Sequence, residues 1–180
     1  MCLPRPSPKP KTKGKTKEKP PKWLKDVYKR QVDIRLCRLA TPVIYQEDQE
    51  FSIGKAVQIG DGTEATVFAT GVTVAEAIRA KEQLEEQGIS IRVVDLFSIK
   101  PIDKEAIIKC AKETKKLISI EDHNIIGGLG SAISEVLTEA YPCYLTRLGI
   151  ADQFGRSGTA AELMKYYHIT AEDIIKQVKS

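Results

Sequence analysis

The chain has 180 residues, which leaves room for one domain of about 100–150 residues and an additional segment. Its 42% hydrophobic and 29% charged residues are typical of a soluble globular protein, and no apolar run approaches the ~20 residues that cross a bilayer. The four cysteines form no CxxC pair, and the first residues lack the apolar core of a secretory signal. Zinc-site, redox-motif and membrane functions therefore have no support, and we expect a cytoplasmic protein.

The net charge of +4 is divided unevenly along the chain. Residues 1–30 hold nine lysines and two arginines against Glu18 and Asp26, so the remaining 150 residues carry a net charge of −5. A uniformly basic chain would indicate nucleic-acid binding. Because the body of this chain is mildly acidic, we expect neither a nucleic-acid nor a membrane partner.

Residues 1–31 hold six of the nine prolines and most of the surplus lysine. Such a segment cannot bury enough apolar surface to offset its ordering entropy, which predicts a disordered Lys/Pro-rich leader. A basic arm that touches an acidic partner is the functional alternative. We favour a solvated tail or a segment not native to the gene, since Val27-Tyr28-Lys29-Arg30-Gln31 resembles a junction found in assembled transcript sequences.

From about residue 52 onward, short apolar runs alternate with amphipathic segments. The runs predict strands at 54–59 (an edge strand), 65–70, 91–96, 117–120 and 143–148. Predicted helix starts are the capping boxes Thr73–Glu76, Thr159–Glu162 and Thr170–Asp173, the N-cap Asp103, and the turn Gly127–Gly130. Strands that alternate with helices over short connections predict an α/β fold with three layers: a mostly parallel sheet of about five strands with helices on both faces.

The first predicted helix also has a defined end and a defined inner face. Gly88 is expected to terminate it in the usual C-terminal manner. Its periodicity places four residues inward and four outward. Those expected inward are Val74, Ala77, Ile78 and Leu84, and those expected outward are Glu76, Arg79, Glu82 and Glu86.

Two features could carry chemistry. The amides of Gly127-Gly128-Leu129-Gly130 at a helix start could hold a phosphate, although this is not the dinucleotide fingerprint. Close packing of helix on sheet, or of subunit on subunit, explains the glycines as well, and we favour it. His123 follows Glu121 and Asp122 at the carboxyl end of a strand, but the sequence names no orienting partner for a general base. For His123 and His168 we favour structural roles.

The residues Thr70–Ala77 and Ile91–Asp103 resemble the carboxy-terminal domain that several thiamine enzymes share. These enzymes are transketolases, deoxyxylulose-phosphate synthase and the beta subunits of 2-oxoacid dehydrogenases. The motifs Glu121-Asp122-His123 with Gly127–Gly130, and above all Asp152-Gln153-Phe154-Gly155-Arg156-Ser157-Gly158, are most similar to transketolase. The resemblance divides the chain into the leader 1–31, the end of a pyrimidine-binding domain with its linker at 32–51, and a transketolase C-terminal domain at 52–180.

This resemblance implies transfer of a two-carbon ketol unit between sugar phosphates, as in the pentose phosphate pathway. The complete enzyme would use thiamine diphosphate with Mg²⁺ or Ca²⁺, held by an amino-terminal domain and a pyrimidine-binding domain across a dimer interface. Those domains, in the same chain or in a separate subunit, are the expected partners, in a homodimer or heterotetramer. We expect this chain alone to support the dimer, to bind no cofactor and to be inactive.

Two further residue assignments follow from the resemblance. Thiamine enzymes hold their metal with a Gly-Asp-Gly followed by paired asparagines, but Asn124 is the chain's single asparagine, so Gly60-Asp61-Gly62 is interpreted as a hairpin turn. The stretch Asp33–Arg38 with Thr41–Tyr45 resembles the last strand of the pyrimidine-binding domain and its linker. Its second arginine, Arg38, is the expected substrate-binding residue for the sugar phosphate; Cys37 stands where the family often has Ser or Gly. We expect no catalytic, cofactor-binding or metal residue in this chain.

The sequence leaves three functions open. The first is a carboxy-terminal fragment of a transketolase. The second is the same domain of a 2-oxoacid dehydrogenase beta subunit or of deoxyxylulose-phosphate synthase, against which the Phe154–Gly158 motif argues. The third is an interaction module that catalyses nothing.

Overall fold

The computed structural model describes residues 32–37 and 40–180. The leader predicted at 1–31 and the expected substrate-binding residue Arg38 lie outside these described residues. The contacts divide the chain into a unit of residues 1–35 and a unit of residues 36–180. All the helices and strands below belong to the second unit, which is described by itself.

Five strands form one mixed sheet, in the spatial order β1-β3-β2-β4-β5. Pairs β3/β2, β2/β4 and β4/β5 are parallel, and the short edge strand β1 runs antiparallel to β3. This confirms the predicted α/β class, the strand number and the edge strand. The strands are β1 (Val57–Ile59), β2 (Ala65–Ala69), β3 (Ile91–Asp95), β4 (Lys116–Asn124) and β5 (Leu145–Ile150).

Five helices cover the two faces of the sheet, as predicted. They are α1 (Thr73–Glu85), α2 (Lys104–Glu113), α3 (Leu129–Ala140), α4 (Ala160–Tyr166) and α5 (Ala171–Lys179). Helices α1 and α5 share one buried cluster with Val67, Val93 and Ile118 of the sheet. Helices α2 and α3 share the other with Phe68, Val94 and Leu117. Alternate residues of each strand point to opposite faces, and because helices cover both faces, every residue of β2 and β3 is buried.

Among the described residues, none of these helices has the length and apolar character required to cross a membrane.

Most of the predicted helix ends are confirmed. The Asp103 carboxylate accepts a hydrogen bond from the Ala106 amide at 3.1 Å. Both carboxy-terminal capping boxes form, at Thr159 with Glu162 and at Thr170 with Asp173. Gly88 has a φ of 76° just beyond α1, where only glycine adopts this conformation without strain.

The predicted capping box of α1 is wrong. Thr73 is the first helical residue, and its hydroxyl donates to the carbonyls of Thr70 (2.8 Å) and Ile120 (3.0 Å). Glu76, expected on the outer face, is buried, and its carboxylate accepts a hydrogen bond from the Ala171 amide of α5 at 3.1 Å. The local spacing gave a wrong prediction because the first turn of α5 has an unpaired amide, and the Glu76 carboxylate accepts a hydrogen bond from it instead of capping its own helix.

Candidate functional site

The four parallel strands end at one edge of the sheet, which is where α/β proteins most often bind ligands. At this edge β3 ends at Asp95 and β4 runs through Glu121 and His123, while β5 ends at Ile150. Three of the features singled out from the sequence lie on β4 or directly after it: Glu121, His123 and the glycine turn. The topology therefore brings the candidate residues of this domain to its carboxyl edge.

Glu121 is almost completely buried and directs its carboxylate at the start of α3. Its two oxygens accept hydrogen bonds from the amides of Leu129 at 2.7 Å and Gly130 at 2.9 Å. A carboxylate at a helix N-terminus satisfies unpaired amides and interacts favourably with the helix dipole. Two of the four amides that could have held a phosphate are therefore occupied by a side chain of the same domain.

The glycines of the turn 127–130 leave room for β4 and its Glu121 side chain to lie close to the start of α3. Gly127 has a φ of 76°. A Cβ atom on Gly128 would overlap the Glu121 carboxylate, and one on Gly130 would lie 2.8 Å from both the Ser119 hydroxyl and the Arg147 side chain. This geometry agrees with the interpretation that the glycines serve the packing of helix on sheet.

His123 is exposed at the same edge. Its Nδ1 lies 3.1 Å from the Asn124 carbonyl oxygen, which is its one hydrogen bond within the described part of the chain. The Asn124 amide donates to Asp152 at 3.1 Å and so joins the loops after β4 and β5. His168 lies at a φ of 57° between α4 and α5, with its Nδ1 3.3 Å from the Asp173 carboxylate. Among residues 32–37 and 40–180, neither histidine meets both an orienting partner and a nucleophile.

Gly60-Asp61-Gly62 connects β1 to β2, but β3 lies between these two strands in the sheet. The predicted hairpin is therefore wrong, and the triplet crosses the amino end of β3. Asp61 accepts a hydrogen bond from the Gln58 amide at 2.8 Å, and a Cβ on Gly62 would overlap the backbone of Ile91. Residues 32–37 and 40–180 contain no group of three His, Cys, Asp or Glu side chains that could hold a metal ion.

A buried polar pair at the carboxyl edge was not predicted from the sequence. The Tyr45 hydroxyl donates to Asp95 Oδ2 at 2.7 Å, and Asp95 is 5% exposed. Burial raises the pKa of Asp95 more than the hydrogen bond from Tyr45 lowers it, and burial together with Asp95 raises the pKa of Tyr45. The available signal was a carboxylate at the end of an otherwise buried apolar run.

Apolar side chains on two joined loops are exposed next to this edge. Phe154, in the loop after β5, is fully exposed, and Ile126 in the loop after β4 is 63% exposed.

The segment 32–37 forms no helix or strand, and its alternating Val32, Ile34 and Leu36 are all exposed. Alternation of apolar with polar residues is typical of a half-buried strand.

A sequence model described as "Transketolase, C-terminal domain" matches residues 54–174. The chain belongs to this family. The match begins two residues after the boundary expected at residue 52 and covers every helix and strand of the sheet domain except the last residues of α5.

The transketolase-family relatives are longer than this chain. A transketolase C-terminal section from Methanocaldococcus jannaschii is 47% identical over 154 residues, which are 84% of this chain and 48% of that protein. A subunit of an apulose-4-phosphate transketolase from Phocaeicola vulgatus is 41% identical, over 83% of this chain and 48% of its own length. The chain thus spans about half the length of these relatives.

A solved structure of a split-gene transketolase, described as an inactive beta4 tetramer, has the same fold. It superposes with a TM-score of 0.75 at 39% identity, covering 79% of this chain and 46% of that one. About four fifths of this chain therefore shares its fold with just under half of that solved chain.

Proposed function

We propose that this chain is the carboxy-terminal section of a transketolase that transfers a two-carbon ketol unit between sugar phosphates in the cytoplasm. The observation that carries the proposal is the family match over residues 54–174. It is supported by relatives above 40% identity that are themselves named as a transketolase section and a transketolase subunit. The Leu129 and Gly130 amides already donate to Glu121 and are not free to bind a phosphate. This further favours a supporting role for this domain over a catalytic one.

We propose a split enzyme in which a second subunit carries the amino-terminal cofactor-binding domain. One of the relatives of about twice this length is named as a single subunit of its transketolase, and such a name implies a complementary subunit. The domain limits follow from this: residues 32–51 are the end of the pyrimidine-binding domain and its linker, and residues 52–180 the C-terminal domain. The exposed Val32, Ile34 and Leu36 support a sheet supplied by the rest of that domain. The assembled enzyme is a homodimer of complete units or a heterotetramer.

The family implies thiamine diphosphate with a divalent cation, and the described residues do not fit that group. Asp61 is hydrogen-bonded to Gln58 at the amino end of β3, away from the carboxyl edge. Asn124, the chain's single asparagine, uses its side-chain oxygen for the Ile126 amide and its side-chain nitrogen for Asp152. The cofactor therefore belongs to the partner domains in this proposal. Arg38 is the residue of this chain proposed to bind the substrate phosphate.

The alternatives lead to different partners. A 2-oxoacid dehydrogenase beta subunit would pair with a decarboxylating alpha subunit, but the relatives from M. jannaschii and P. vulgatus are both named as transketolases. A non-catalytic module would bind its partner without any ketol transfer. The genomic sequence upstream of codon 32 distinguishes a continuous enzyme from a split one.

The test is to co-express residues 32–180 with the thiamine-binding domains encoded upstream or next to this gene. The purified complex should convert a ketose-phosphate donor and an aldose-phosphate acceptor into products changed by two carbons, as read by mass spectrometry. Each half alone should give no product. A stable complex without transfer for any sugar-phosphate pair would contradict the proposal and favour the module.

A further inference from the structure

Residues 44–56, here called the strap, pack along the end of β3 and the start of α2. Ile44 packs against the first core cluster and Ala56 against the second. Phe51 lies edge-on between two other rings, with centroids 5.0 Å from Tyr45 and 5.2 Å from Phe97. The strap has no regular secondary structure and does not pair with a strand of the sheet. It is therefore held in place by side-chain contacts and not by strand-to-strand backbone hydrogen bonds.

Side-chain acceptors of the domain also bind the backbone of the strap. The Gly54 amide donates to the Ser98 hydroxyl, and the Ala56 amide to the Asp103 carboxylate, both at 3.0 Å. These bonds secure the carboxyl part of the strap. Its amino part depends on Ile44 and on the Tyr45 hydroxyl, since Val43 beside them is exposed.

The Tyr45–Asp95 pair is the polar contact on which this amino part depends. Asp95 is nearly buried, and its Oδ1 has no hydrogen-bond partner among the described residues. The bond from Tyr45 at 2.7 Å is therefore the one that its carboxyl group receives there. Removing a partner from a buried carboxyl group costs more than the bond itself contributes, because the group is left unsatisfied.

We propose that the Tyr45–Asp95 pair fastens the strap to the domain and so fixes the point from which the preceding chain departs. Tyr45 and Asp95 are positioning residues in this proposal. Arg38 lies seven residues before Tyr45, which limits it to about 25 Å from that point. Where Arg38 binds a substrate phosphate, a step that rests on the proposed function, the strap confines the region that Arg38 can reach.

Chymotrypsin tests the first step on the chain itself. The enzyme cuts after Tyr and Phe alike, so Tyr45→Phe removes the hydroxyl and keeps the cleavage site. When opening is fast, the cleavage rate follows the open fraction. Cleavage after residue 45, read by mass spectrometry, should rise roughly tenfold to a hundredfold in Tyr45→Phe, which loses the donor, and in Asp95→Ala, which loses the acceptor. Tyr144→Phe, which changes an exposed ring, is the matched control and should leave the rate unchanged.

Phe68, in the centre of the sheet, reports global unfolding in the same digest. Unchanged cleavage after residue 45 in both variants would overturn the proposal. A parallel rise after Phe68 would overturn it as well, because the pair would then stabilise the whole domain and not the strap.

The assembled enzyme tests the second step. Tyr45→Phe should raise KM for phosphorylated acceptors and leave kcat for unphosphorylated ones as in Tyr144→Phe. An active complex with unchanged KM would refute the role in positioning Arg38 while leaving the proposed function intact. A wild-type complex without turnover would instead refute the proposed function, and the chymotrypsin result would still decide the strap.

Discussion

Two buried carboxylates at the carboxyl edge of the sheet are held in different ways. Glu121 accepts two amide hydrogen bonds from the start of α3. Asp95 accepts one bond, from Tyr45, and keeps one oxygen without a partner in the described residues. Burial disfavours a charge that is not fully hydrogen-bonded, so the pKa of Asp95 rises. The role of Glu121 is different: its two hydrogen bonds stabilise the start of α3.

The glycine beside Glu121 should be intolerant of a side chain. In Gly128→Ala the new Cβ would overlap the Glu121 carboxylate and lie 2.7 Å from the Asn124 carbonyl oxygen. We expect a loss of about 2–4 kcal/mol in the free energy of unfolding, from overpacking and weakened charged hydrogen bonds. Urea denaturation measures it. Gly155→Ala, where the new methyl would meet open space, is the control, and equal stabilities of the two variants would refute the packing role.

Asp95 should make the stability of the domain depend on pH. Its folded pKa is raised above the ordinary 3.8, so the folded state binds the proton more tightly, and stability falls as pH rises through that raised value. Each unit of the rise corresponds to about 1.4 kcal/mol. Tyr45 is the titratable group that contacts the carboxyl group.

Asp95→Asn removes this titration. The unfolding free energy of the variant relative to wild type should therefore increase as the pH rises from about 4 through the raised pKa of Asp95. Asp122→Asn, at an exposed position on β4, should show no such trend. A parallel pH profile for Asp95→Asn and wild type would contradict the raised pKa.

In the proposed complete enzyme, Arg38 binds the phosphate of the substrate. A planar guanidinium can bind two oxygens of a phosphate, with about 1.5–3 kcal/mol for each charge-assisted hydrogen bond. Arg38→Ala should raise KM for phosphorylated substrates roughly tenfold to a hundredfold, with part of the loss in kcat. Steady-state kinetics with phosphorylated and unphosphorylated acceptors measures it. Equal losses for both would indicate that Arg38 pairs with a carboxylate instead.

The start of α5, the last helix, depends on a side chain of α1, the first helix. Glu76 of α1 reaches the Ala171 amide at the start of α5 and also pairs with Arg79. The two helices pack in the same core cluster, where Leu84 and Ile174 are completely buried. The carboxylate therefore joins two segments that are 95 residues apart in the chain.

Glu76→Ala should destabilise the domain by about 1–3 kcal/mol, since it leaves a nearly buried amide unsatisfied. Glu76→Gln, which retains an acceptor oxygen, should lose less. The exposed Glu82→Ala on the same helix controls for changes of charge and helix propensity. Urea midpoints that are the same for Glu76→Ala and Glu82→Ala would refute the cap.

As a whole, the described domain has the sheet and helices of the family whose model matches it, the transketolase C-terminal domain. The chain spans about half the length of its relatives, and in the proposed enzyme the cofactor lies on domains that the described residues do not form.

The isolated chain should therefore bind no thiamine diphosphate. Isothermal calorimetry with the cofactor and Mg²⁺ or Ca²⁺ should give no heat of binding, because Asp61 lacks a second oxygen ligand in the described domain. The co-expressed complex of the proposed function is the positive control. Micromolar affinity of the chain alone would overturn the interpretation of the Gly60-Asp61-Gly62 triplet.

The family, the fold class, the five strands and most helix ends could be predicted from the amino-acid sequence, whereas the ends of β1, β4 and β5 differ from the predicted ones by several residues. Hydrophobic period distinguishes helix from strand, and a cap such as Asp103 or Thr159 needs only residues three positions away. The motifs Glu121–His123 and Phe154–Gly158 were specific enough to indicate transketolase before any contact was known. The family match over residues 54–174 agrees with that resemblance.

Contacts between groups that are distant in the chain could not be predicted from the sequence. Glu76 fits a local capping box by spacing, yet it caps α5, because burial against α5 exposes an amide that must be satisfied. Gly60-Asp61-Gly62 fits a hairpin by composition, yet β3 inserts between β1 and β2, since strand order is set by packing of both faces and not by chain proximity. The Tyr45–Asp95 pair spans 50 residues, and no local pattern encodes a contact at that separation.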